Sequence, residues 1–408
     1  MQQHRLNYWL LNGAFFSFFV AWSFSFSFYA IWLKQNVGLT ATDIGFVFSI
    51  NAMVAFVLMP FYGYWQDRLS EDKTLLYAVA ITILCCGPFF NWLYQPLLES
   101  NFWLGSGVGA LFTAVSFGAA VGVLESFIER LSRRDGFEFG RSRMWGSLGW
   151  AIATLFTGLL LNWFPPSVFW LSSLAGIVFL FCLIRVTTPT CSAPLSCLQN
   201  SKKPGLSDLI LVLKLPEFRR FAFYIISVPC IYQVFDQQFP VYFASLFADP
   251  ELANIYFGYL NSSQVFLEAA LMFITPALVN RMGARRALIL AGCIMTMRIL
   301  GSGLATEMLA ISALKLLHAV ELPILLVAMF KYIAAVFDSR LSTTLYMVGF
   351  LLFSQLSAML LSPFFGYLYD QYGYAPSYLL IGSVMACCTL LSALLLTPVQ
   401  AGIKPVSQ

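Results

Sequence analysis

The chain has 408 residues, of which 59% are hydrophobic and only 10% are charged, and its formal net charge is +4. So few charged side chains cannot cover a water-facing surface, which excludes a soluble globular protein. The basic residues are scattered over short loops and indicate no nucleic-acid partner. The composition predicts an all-α membrane protein that crosses the lipid bilayer many times.

The first apolar run, residues 6–33, carries no charged side chain. It is longer than the core of a signal peptide and no small-residue cleavage pattern follows it, so we expect a retained transmembrane helix. Further apolar runs, separated by charged or Pro- and Gly-rich turns, predict eleven more spans. Their approximate bounds are 42–66, 74–96, 103–128, 143–163, 167–186, 217–245, 254–279, 286–304, 308–334, 341–368 and 376–398.

The polar segment 188–214 is the one interior linker. It predicts two domains, a six-helix bundle over 1–187 and a second over 215–408. The loops 67–73 and 280–286 have similar basic patterns in the two halves, which indicates an internal repeat. Two parallel repeats with a site near the middle of the membrane are typical of transporters.

Lys and Arg are unequally distributed over the loops. When the N-terminus is placed in the cytoplasm, the linker and most basic loops lie inside, and the opposite loops keep only Lys34. This asymmetry predicts a multi-pass protein of a bacterial inner membrane with both termini in the cytoplasm. We expect it to be a monomer.

Three titratable side chains, Lys315, His318 and Glu321, interrupt the apolar run 308–334. On an ideal helix they share an arc of about 120°. A charge near the centre of a membrane helix costs about 2.5 to 3.5 kcal/mol, so such residues face a cavity, pair with one another, or move ions. We interpret the segment as the core of a proton-coupled transporter. The alternative is an ion-pair network that only fixes helix packing.

Glu125 and Arg143 are the ionisable residues within the spans of the first half. A carboxylate and a guanidinium that face each other can hold sugar hydroxyls by charge-assisted hydrogen bonds. Trp150 lies seven residues after Arg143, on the same helical face, where its ring can stack against a pyranose. The alternatives are a membrane-edge anchor for Arg143 and a packing role for Trp150.

Asp236, Glu268 and Arg298 fall within apolar runs of the second half. We expect Asp236 to pair with Lys315, either for proton coupling or for a purely structural purpose. Arg298 near Glu321 can help to drive a proton off that carboxyl group. The distribution of these residues therefore predicts sugar binding in the first half and proton transfer in the second.

The nine cysteines follow no metal-ligand or disulfide spacing. The two histidines, His4 and His318, are too few for a His-based metal site. We expect no metal and no organic cofactor, with the proton as the coupling ion.

Motifs along the full length carry a family resemblance. They are Tyr29-Ala30-Ile31-Trp32-Leu33, Gly63-Tyr64-Trp65-Gln66-Asp67-Arg68, Glu125-Ser126-Phe127-Ile128-Glu129-Arg130, Phe137-Glu138-Phe139-Gly140-Arg141, Phe235-Asp236-Gln237-Gln238-Phe239, Lys315-Leu316-Leu317-His318 and Phe330-Lys331-Tyr332. With them the chain resembles the oligosaccharide:H+ symporters of the major facilitator superfamily, the family of lactose and sucrose permeases. The resemblance implies twelve transmembrane helices in two pseudo-symmetric bundles, and no enzymatic activity.

The resemblance also implies the sugar ligands. Glu125 and Arg143 would be the principal ones, with Trp150 stacking beneath the sugar. Positions that line the family's sugar cavity correspond to Phe19, Ser23 and Phe26.

Coupling residues follow from the same resemblance. Tyr232, Glu268 and His318 would couple sugar binding to proton binding. Arg298 and Glu321 would handle the proton itself.

The chain departs from the family pattern at positions that bear on the sugar. Lactose, melibiose and raffinose permeases carry an Asp and a Lys where this chain has Gln233 and Ser354, and the family's glutamate in span 8 falls on Val265, three residues before Glu268. Both changes resemble sucrose permease, which also shares Asn261, Gln264 and Glu268, although that permease has a shorter acid in place of Glu125. We include Gln233 among the sugar-contacting positions.

These observations predict a symporter that imports a disaccharide with a proton by alternating access, with sucrose as the leading candidate and maltose and galactosides as alternatives. Two other classes of protein are less favoured by the sequence. A sugar receptor on the same scaffold would normally carry a sizeable soluble signalling domain, which the sequence does not indicate. A membrane-embedded enzyme would need a nucleophile and a base or a metal motif beside the carboxylates, and the sequence shows no such pattern.

Overall fold

The computed structural model describes residues 2–69, 73–187, 215–337 and 347–398. Within these ranges the regular elements are helices, and no strand is formed. The prediction of an all-α membrane protein is therefore confirmed. The predicted linker, 188–214, lies outside the described residues.

Six helical segments precede the predicted linker and six follow it in the described ranges. The first six are α1 (Gln2–Phe26 and Tyr29–Gln35), α2 (Ala41–Leu69), α3 (Thr74–Leu84, Cys86–Pro88, Phe89–Tyr94 and Gln95–Ser100), α4 (Phe102–Thr113, Ala114–Gly118 and Ala120–Asp135), α5 (Phe139–Trp163) and α6 (Ser167–Arg185). The others are α7 (Pro216–Ile225, Ile226–Cys230 and Ile231–Ser245), α8 (Pro250–Met282), α9 (Ala284–Leu304), α10 (Met308–Leu316 and His318–Val336), α11 (Met347–Leu352 and Phe353–Tyr372) and α12 (Tyr374–Leu395).

Ten of the described segments are long and apolar enough to cross a membrane, and α3, which bends by 45° at its break, brings the number to eleven. The described segment that does not meet this criterion of length and hydropathy is α7. Its polar residues Gln233, Asp236, Gln237 and Gln238 lower its hydropathy. Since polar side chains inside a membrane helix usually face a cavity, we expect these residues of α7 to line one.

Several helices are interrupted by π-helical turns, which are frequent at functional sites. These turns are Phe89–Tyr94 in α3, Ala114–Gly118 in α4, Ile226–Cys230 in α7 and Met347–Leu352 in α11. The turn in α7 contains Pro229, which has no N–H to donate to the helix ladder. The helix ladder is therefore irregular in four of the spans.

A break of another kind divides α10 at Leu317, whose N–H donates to the Leu314 carbonyl three residues before it, at 3.2 Å. Lys315 belongs to the piece before the break, and His318 begins the piece after it. The ideal-helix arc predicted for Lys315, His318 and Glu321 is therefore interrupted, because a tight turn separates the lysine from the other two.

Each half has its own packing. In the first half, α1 packs against both α5 and α6, and α2 packs against α4. In the second half, α9 packs against both α10 and α12. Aromatic pairs fill the first half, with Phe90 stacked on Phe169 at 4.2 Å between ring centres. The high phenylalanine content thus serves interhelical packing in part.

The halves meet where α2 packs on α11 and α5 packs on α8. Glycines permit this close approach. A Cβ atom on Gly45 of α2 would meet the backbone of Ser362, and one on Gly158 of α5 would meet the backbone of Asn254. The two halves therefore touch through their main chains.

Hydrogen bonds between the halves gather at the end of the molecule that carries the turn between α1 and α2. We name this the closed end. The Asp370 carboxylate, from the last turn of α11, accepts hydrogen bonds from the backbone N–H of Ala41 at 3.0 Å and of Thr42 at 2.7 Å. It also accepts one from the Thr42 hydroxyl at 2.6 Å. One half thus caps a helix N-terminus of the other.

Asn254, near the start of α8, adds a second contact at the closed end. Its amide nitrogen donates to Gln35 Oε1 at 3.0 Å and to Asn162 Oδ1 at 2.8 Å. Asn162 in turn donates to the Glu251 carbonyl at 2.7 Å. Polar side chains from α1, α5 and α8 therefore hold this end together.

Candidate functional site

A cavity of about 340 Å³ lies between the two halves. Residues of α1, α2 and α5 form its wall on one side, and residues of α7, α8 and α10 form it on the other. The polar and charged residues of the wall include Arg143, Ser147, Asp236, Gln237, Asn261, Gln264, Glu268, Lys315 and His318. The cavity therefore brings together charged residues that are far apart in the sequence.

Arg143 is the cation on the first side of the cavity. Because α5 begins at Phe139, Arg143 lies about one turn inside the helix. Its Nε donates to Glu125 Oε1 at 2.7 Å, and each of these two side chains is 35% exposed. The guanidinium lies 4.4 Å from the centre of the Phe19 ring. Glu125 and Arg143 thus form the predicted pair, and of the two only Arg143 is among the described residues of the cavity wall.

Trp150 lies in the same wall, seven residues after Arg143. Its ring meets the ring of Trp22 edge to face, with centres 5.5 Å apart. Phe19 and Phe26, predicted to line the cavity, do so. The wall on this side therefore combines one guanidinium with several aromatic rings, a combination suited to a ring with polar edges and an apolar face.

Ser23 does not line this cavity, in contrast to the prediction. Its side chain is completely buried between α1 and α5. The hydroxyl contacts the Trp150 carbonyl at 3.0 Å and the Thr154 hydroxyl at 2.8 Å. Ser23 therefore joins two helices and supports the backbone that carries Trp150.

Asp236 of α7 holds two cations on the second side of the cavity. Its Oδ1 accepts from Arg298 Nη2 at 2.8 Å and from Lys315 Nζ at 3.2 Å. The Asp236 side chain is 27% exposed, whereas Lys315 is nearly buried and Arg298 is completely buried. The expected pairing of Asp236 with Lys315 is present, and Arg298 extends it away from the cavity.

Arg298 also pairs with Glu321, with 2.7 Å between Nη1 and Oε1. Both side chains are completely buried, and neither belongs to the cavity wall. Glu321 Oε2 has no hydrogen-bond partner within the described ranges. Taken with Asp236 and Lys315, the set contains two cationic and two anionic side chains, so the charges can balance without water.

His318 connects this buried set to the cavity, because its ring lies in the wall. Its Nδ1 is 2.6 Å from the Tyr232 hydroxyl and 3.1 Å from both Arg298 Nη1 and Glu321 Oε1. The Tyr232 ring stacks on the imidazole and lies below the Arg298 guanidinium. Tyr232 is not part of the cavity wall, and it contacts His318, which is.

Glu268 lies in the cavity wall on α8. Gln233 does not, although it was predicted among the sugar-contacting positions. It is exposed and lies four residues before Gln237, which is in the wall. One turn of α7, about 6 Å along its axis, therefore separates Gln233 from the cavity.

Sequence reasoning did not assign the uncharged polar residues of the wall to the site, because it searched for ionisable groups. Asn261 and Gln264 were noted only as residues shared with sucrose permease. Asn261 and Gln264 precede Glu268 by seven and four positions on α8, and Ser147 lies between Arg143 and Trp150 on α5. These spacings place each set on one helical face. Polar residues at i, i+3 and i+7 in an apolar segment are the signal that could have found them.

Residues 1–405 match the sequence model of a family described as LacY proton/sugar symporter. The chain is 38% identical to raffinose permease of Escherichia coli, over 98% of this chain and 95% of that protein. It is 40% identical to sucrose permease of Escherichia coli, over 92% of this chain and 90% of that protein. Lactose permease of Klebsiella oxytoca is 36% identical, over 90% and 89% of the two chains.

The fold is similar to that of a solved transporter. A crystal structure of a mutant of the nucleoside transporter NupG covers 96% of this chain, with all of its own length matched, at a TM-score of 0.80. The sequence identity is 12%, so the similarity concerns the fold alone.

Proposed function

Because the chain belongs to the LacY proton/sugar symporter family, we propose that it imports a disaccharide, sucrose, together with a proton. The permeases that resemble it are for raffinose, sucrose and lactose, which gives the class of cargo. The choice of sucrose follows from Gln233, Ser354 and Glu268, the positions at which the chain departs from the pattern of galactoside permeases.

The observation that carries the proposal is the composition of the cavity wall. Arg143 and Trp150 face it from the first half, and Asp236, Lys315 and His318 face it from the second. A guanidinium has five N–H donors, and Glu125 occupies only the Nε of Arg143. The remaining donors are free to bind sugar hydroxyls, and the Trp150 ring supplies a surface for the apolar face of a pyranose.

The buried set behind His318 is suited to carry the proton. In the proposed cycle a proton binds to Glu321, the Arg298–Glu321 ion pair opens, and Arg298 keeps Asp236 as its anionic partner. His318 contacts Arg298 and Glu321 on one side and the cavity on the other. A sugar that displaces His318 therefore changes the surroundings of the proton carrier, which is what coupling requires.

Alternating access requires that one end of the cavity close while the other opens. The distribution of Lys and Arg supports a periplasmic position for the closed end. Asp370 and Asn254 then hold the periplasmic side shut. For import, these contacts must break so that sugar can enter the cavity from the periplasm. They must form again before the sugar leaves to the cytoplasm.

Uptake into energised membrane vesicles tests the proposal. Radiolabelled sucrose is expected to accumulate above its external concentration and to lose this accumulation when a protonophore is added. Unlabelled sucrose, raffinose, melibiose, lactose and maltose are then compared as competitors. Accumulation that resists the protonophore overturns proton coupling, and competition by raffinose or lactose at far lower concentrations than sucrose overturns the choice of substrate.

A further inference from the structure

A stripe of polar residues runs along α8 on the side of the cavity opposite Arg143. Asn261, Gln264 and Glu268 form it, and all three lie in the wall. Next to this stripe the two helices touch, since the Ser262 hydroxyl donates to the Ala151 carbonyl of α5 at 2.9 Å. The stripe on α8 therefore faces the sugar-binding side of α5 across a short gap.

Gln264 differs from the other residues of the stripe in its surroundings. It is 4% exposed, and its Oε1 is buried without a hydrogen-bond partner in the described part of the chain. A buried amide oxygen that has lost water and gained no partner is unfavourable, so this group is short of a donor. Rotation about the last side-chain torsion exchanges Oε1 and Nε2, which lets the amide offer either an acceptor or a donor to the cavity.

We propose that Gln264 is a specificity-determining residue, whose amide holds a hydroxyl of the second ring of a disaccharide while Arg143 and Trp150 hold the first. This inference rests on the proposed function and adds Gln264 as the residue that recognises the second ring. A disaccharide would then contact both halves through neutral and charged groups. A monosaccharide held on α5 would leave the Gln264 amide without its partner.

Direct binding to the purified full-length protein tests this role of Gln264. The probes are sucrose, maltose and melibiose as disaccharides, and glucose and galactose as monosaccharides, each used to displace radiolabelled sucrose. The variant is Gln264→Met, which keeps the length of the side chain and removes the amide. We expect the affinity for the bound disaccharide to fall on the order of tenfold, and the affinity for the monosaccharides to stay within about twofold.

Gln238→Met is the matched control. Gln238 is also a buried glutamine of the second half with an unpartnered Oε1 in the described ranges, but it is absent from the cavity wall. Any effect of this control is expected to be equal for disaccharides and monosaccharides. The same equal loss in Gln264→Met, or no loss, overturns the role of Gln264.

Two further measurements separate this inference from the proposed function. If the wild-type protein binds none of these sugars, or if Arg143→Ala binds them as well as wild type does, the proposed function fails. If wild type binds a disaccharide and Arg143→Ala does not, while Gln264→Met keeps the wild-type ratio of disaccharide to monosaccharide affinity, only the role of Gln264 is wrong.

Discussion

Arg298 Nη1 lies 2.7 Å from Glu321 Oε1, and both side chains are completely buried. Two charges removed from water are stable together only when their geometry is good, and removing one leaves the other uncompensated. The second partner of Arg298 is Asp236, at 2.8 Å. The guanidinium therefore remains paired when Glu321 is neutral, which a proton carrier requires.

Glu321→Gln is expected to separate sugar movement from proton movement. The amide cannot accept or release a proton, but Asp236 still pairs with Arg298, so the fold and the cavity remain. Exchange of labelled for unlabelled sugar across the vesicle membrane is expected to continue, and uphill accumulation is expected to be lost. Accumulation at the wild-type level would exclude Glu321 as the proton carrier.

Glu251→Gln is a suitable control for that experiment. Glu251 is an exposed acid in the first turn of α8 and is not part of the cavity wall. The same change of carboxylate to amide at this position is expected to leave both exchange and accumulation near wild type.

Arg143→Ala is expected to abolish detectable sugar binding. Each hydrogen bond to a charged group is worth about 1.5 to 3 kcal/mol, so losing one weakens binding by roughly 10- to 150-fold. The change also leaves Glu125 without its partner at 2.7 Å. Calorimetric titration of the purified protein with sucrose measures the effect.

Arg143→Lys refines this prediction, because an ammonium keeps the charge but lacks the planar fork of donors. Binding is expected to fall between that of wild type and of Arg143→Ala. Full affinity in Arg143→Lys would show that only the charge matters and that bidentate contact does not.

Asp370→Ala is expected to loosen the closed end. The carboxylate caps the start of α2, and loss of an N-cap costs about 0.5 to 2 kcal/mol. A shift of one to two kcal/mol changes the ratio of two states by a factor of about 5 to 30. In right-side-out vesicles of a cysteine-free background, Ala30→Cys in the cavity wall is expected to react faster with an impermeant maleimide.

Asp249→Ala serves as the control for this change. Asp249 caps α8 within its own half, accepting from the Glu251 N–H at 2.9 Å, and makes no bond across the halves among the described residues. Equal acceleration of labelling by both variants would show that helix fraying, and not separation of the halves, exposes the cavity.

Lys73→Met is expected to lower thermal stability without changing sugar preference. Lys73 lies before α3, and burial lowers the pKa of its ammonium. The ammonium donates to the carbonyls of Leu183, at 3.0 Å, and Val186, which end α6. Removing it leaves these carbonyls unpaired, at a cost of about 1 to 3 kcal/mol.

Thermal unfolding in detergent, followed by tryptophan fluorescence, measures this effect. Lys34→Met is the matched control, because Lys34 is an exposed lysine at the end of α1. An unchanged midpoint in Lys73→Met would mean that other groups already satisfy the end of α6.

The positions of the helices were largely predictable from sequence, because apolar runs and their polar turns fix where a chain can cross a membrane. The break at Leu317 was not. The local sequence carries no signal for it that is stronger than the surrounding apolar pattern. The prediction that Arg298 lies near Glu321 did not depend on knowing that α10 is broken at Leu317.

Within the site, sequence reasoning found the charged residues because charge inside a membrane segment is rare and costly. It did not find the cap formed by Asp370 on Ala41 and Thr42, since nothing local to α11 indicates a contact with α2. Likewise Ser23 was placed in the cavity, but only packing shows that its hydroxyl bonds to α5. Contacts between distant segments require the fold.

His318 Nδ1 has three neighbours within 3.1 Å, namely Tyr232, Arg298 and Glu321. A ring nitrogen has either one lone pair or one hydrogen, so it satisfies a single neighbour at a time. Arg298 and Glu321 also bond to each other, at 2.7 Å, so a small tilt of the imidazole changes which neighbour Nδ1 contacts without leaving Arg298 or Glu321 unpaired. Under the proposed function, a sugar that tilts the ring would shift Nδ1 from one hydrogen-bond partner to another, and a small local displacement would then produce one of a few discrete hydrogen-bonding arrangements.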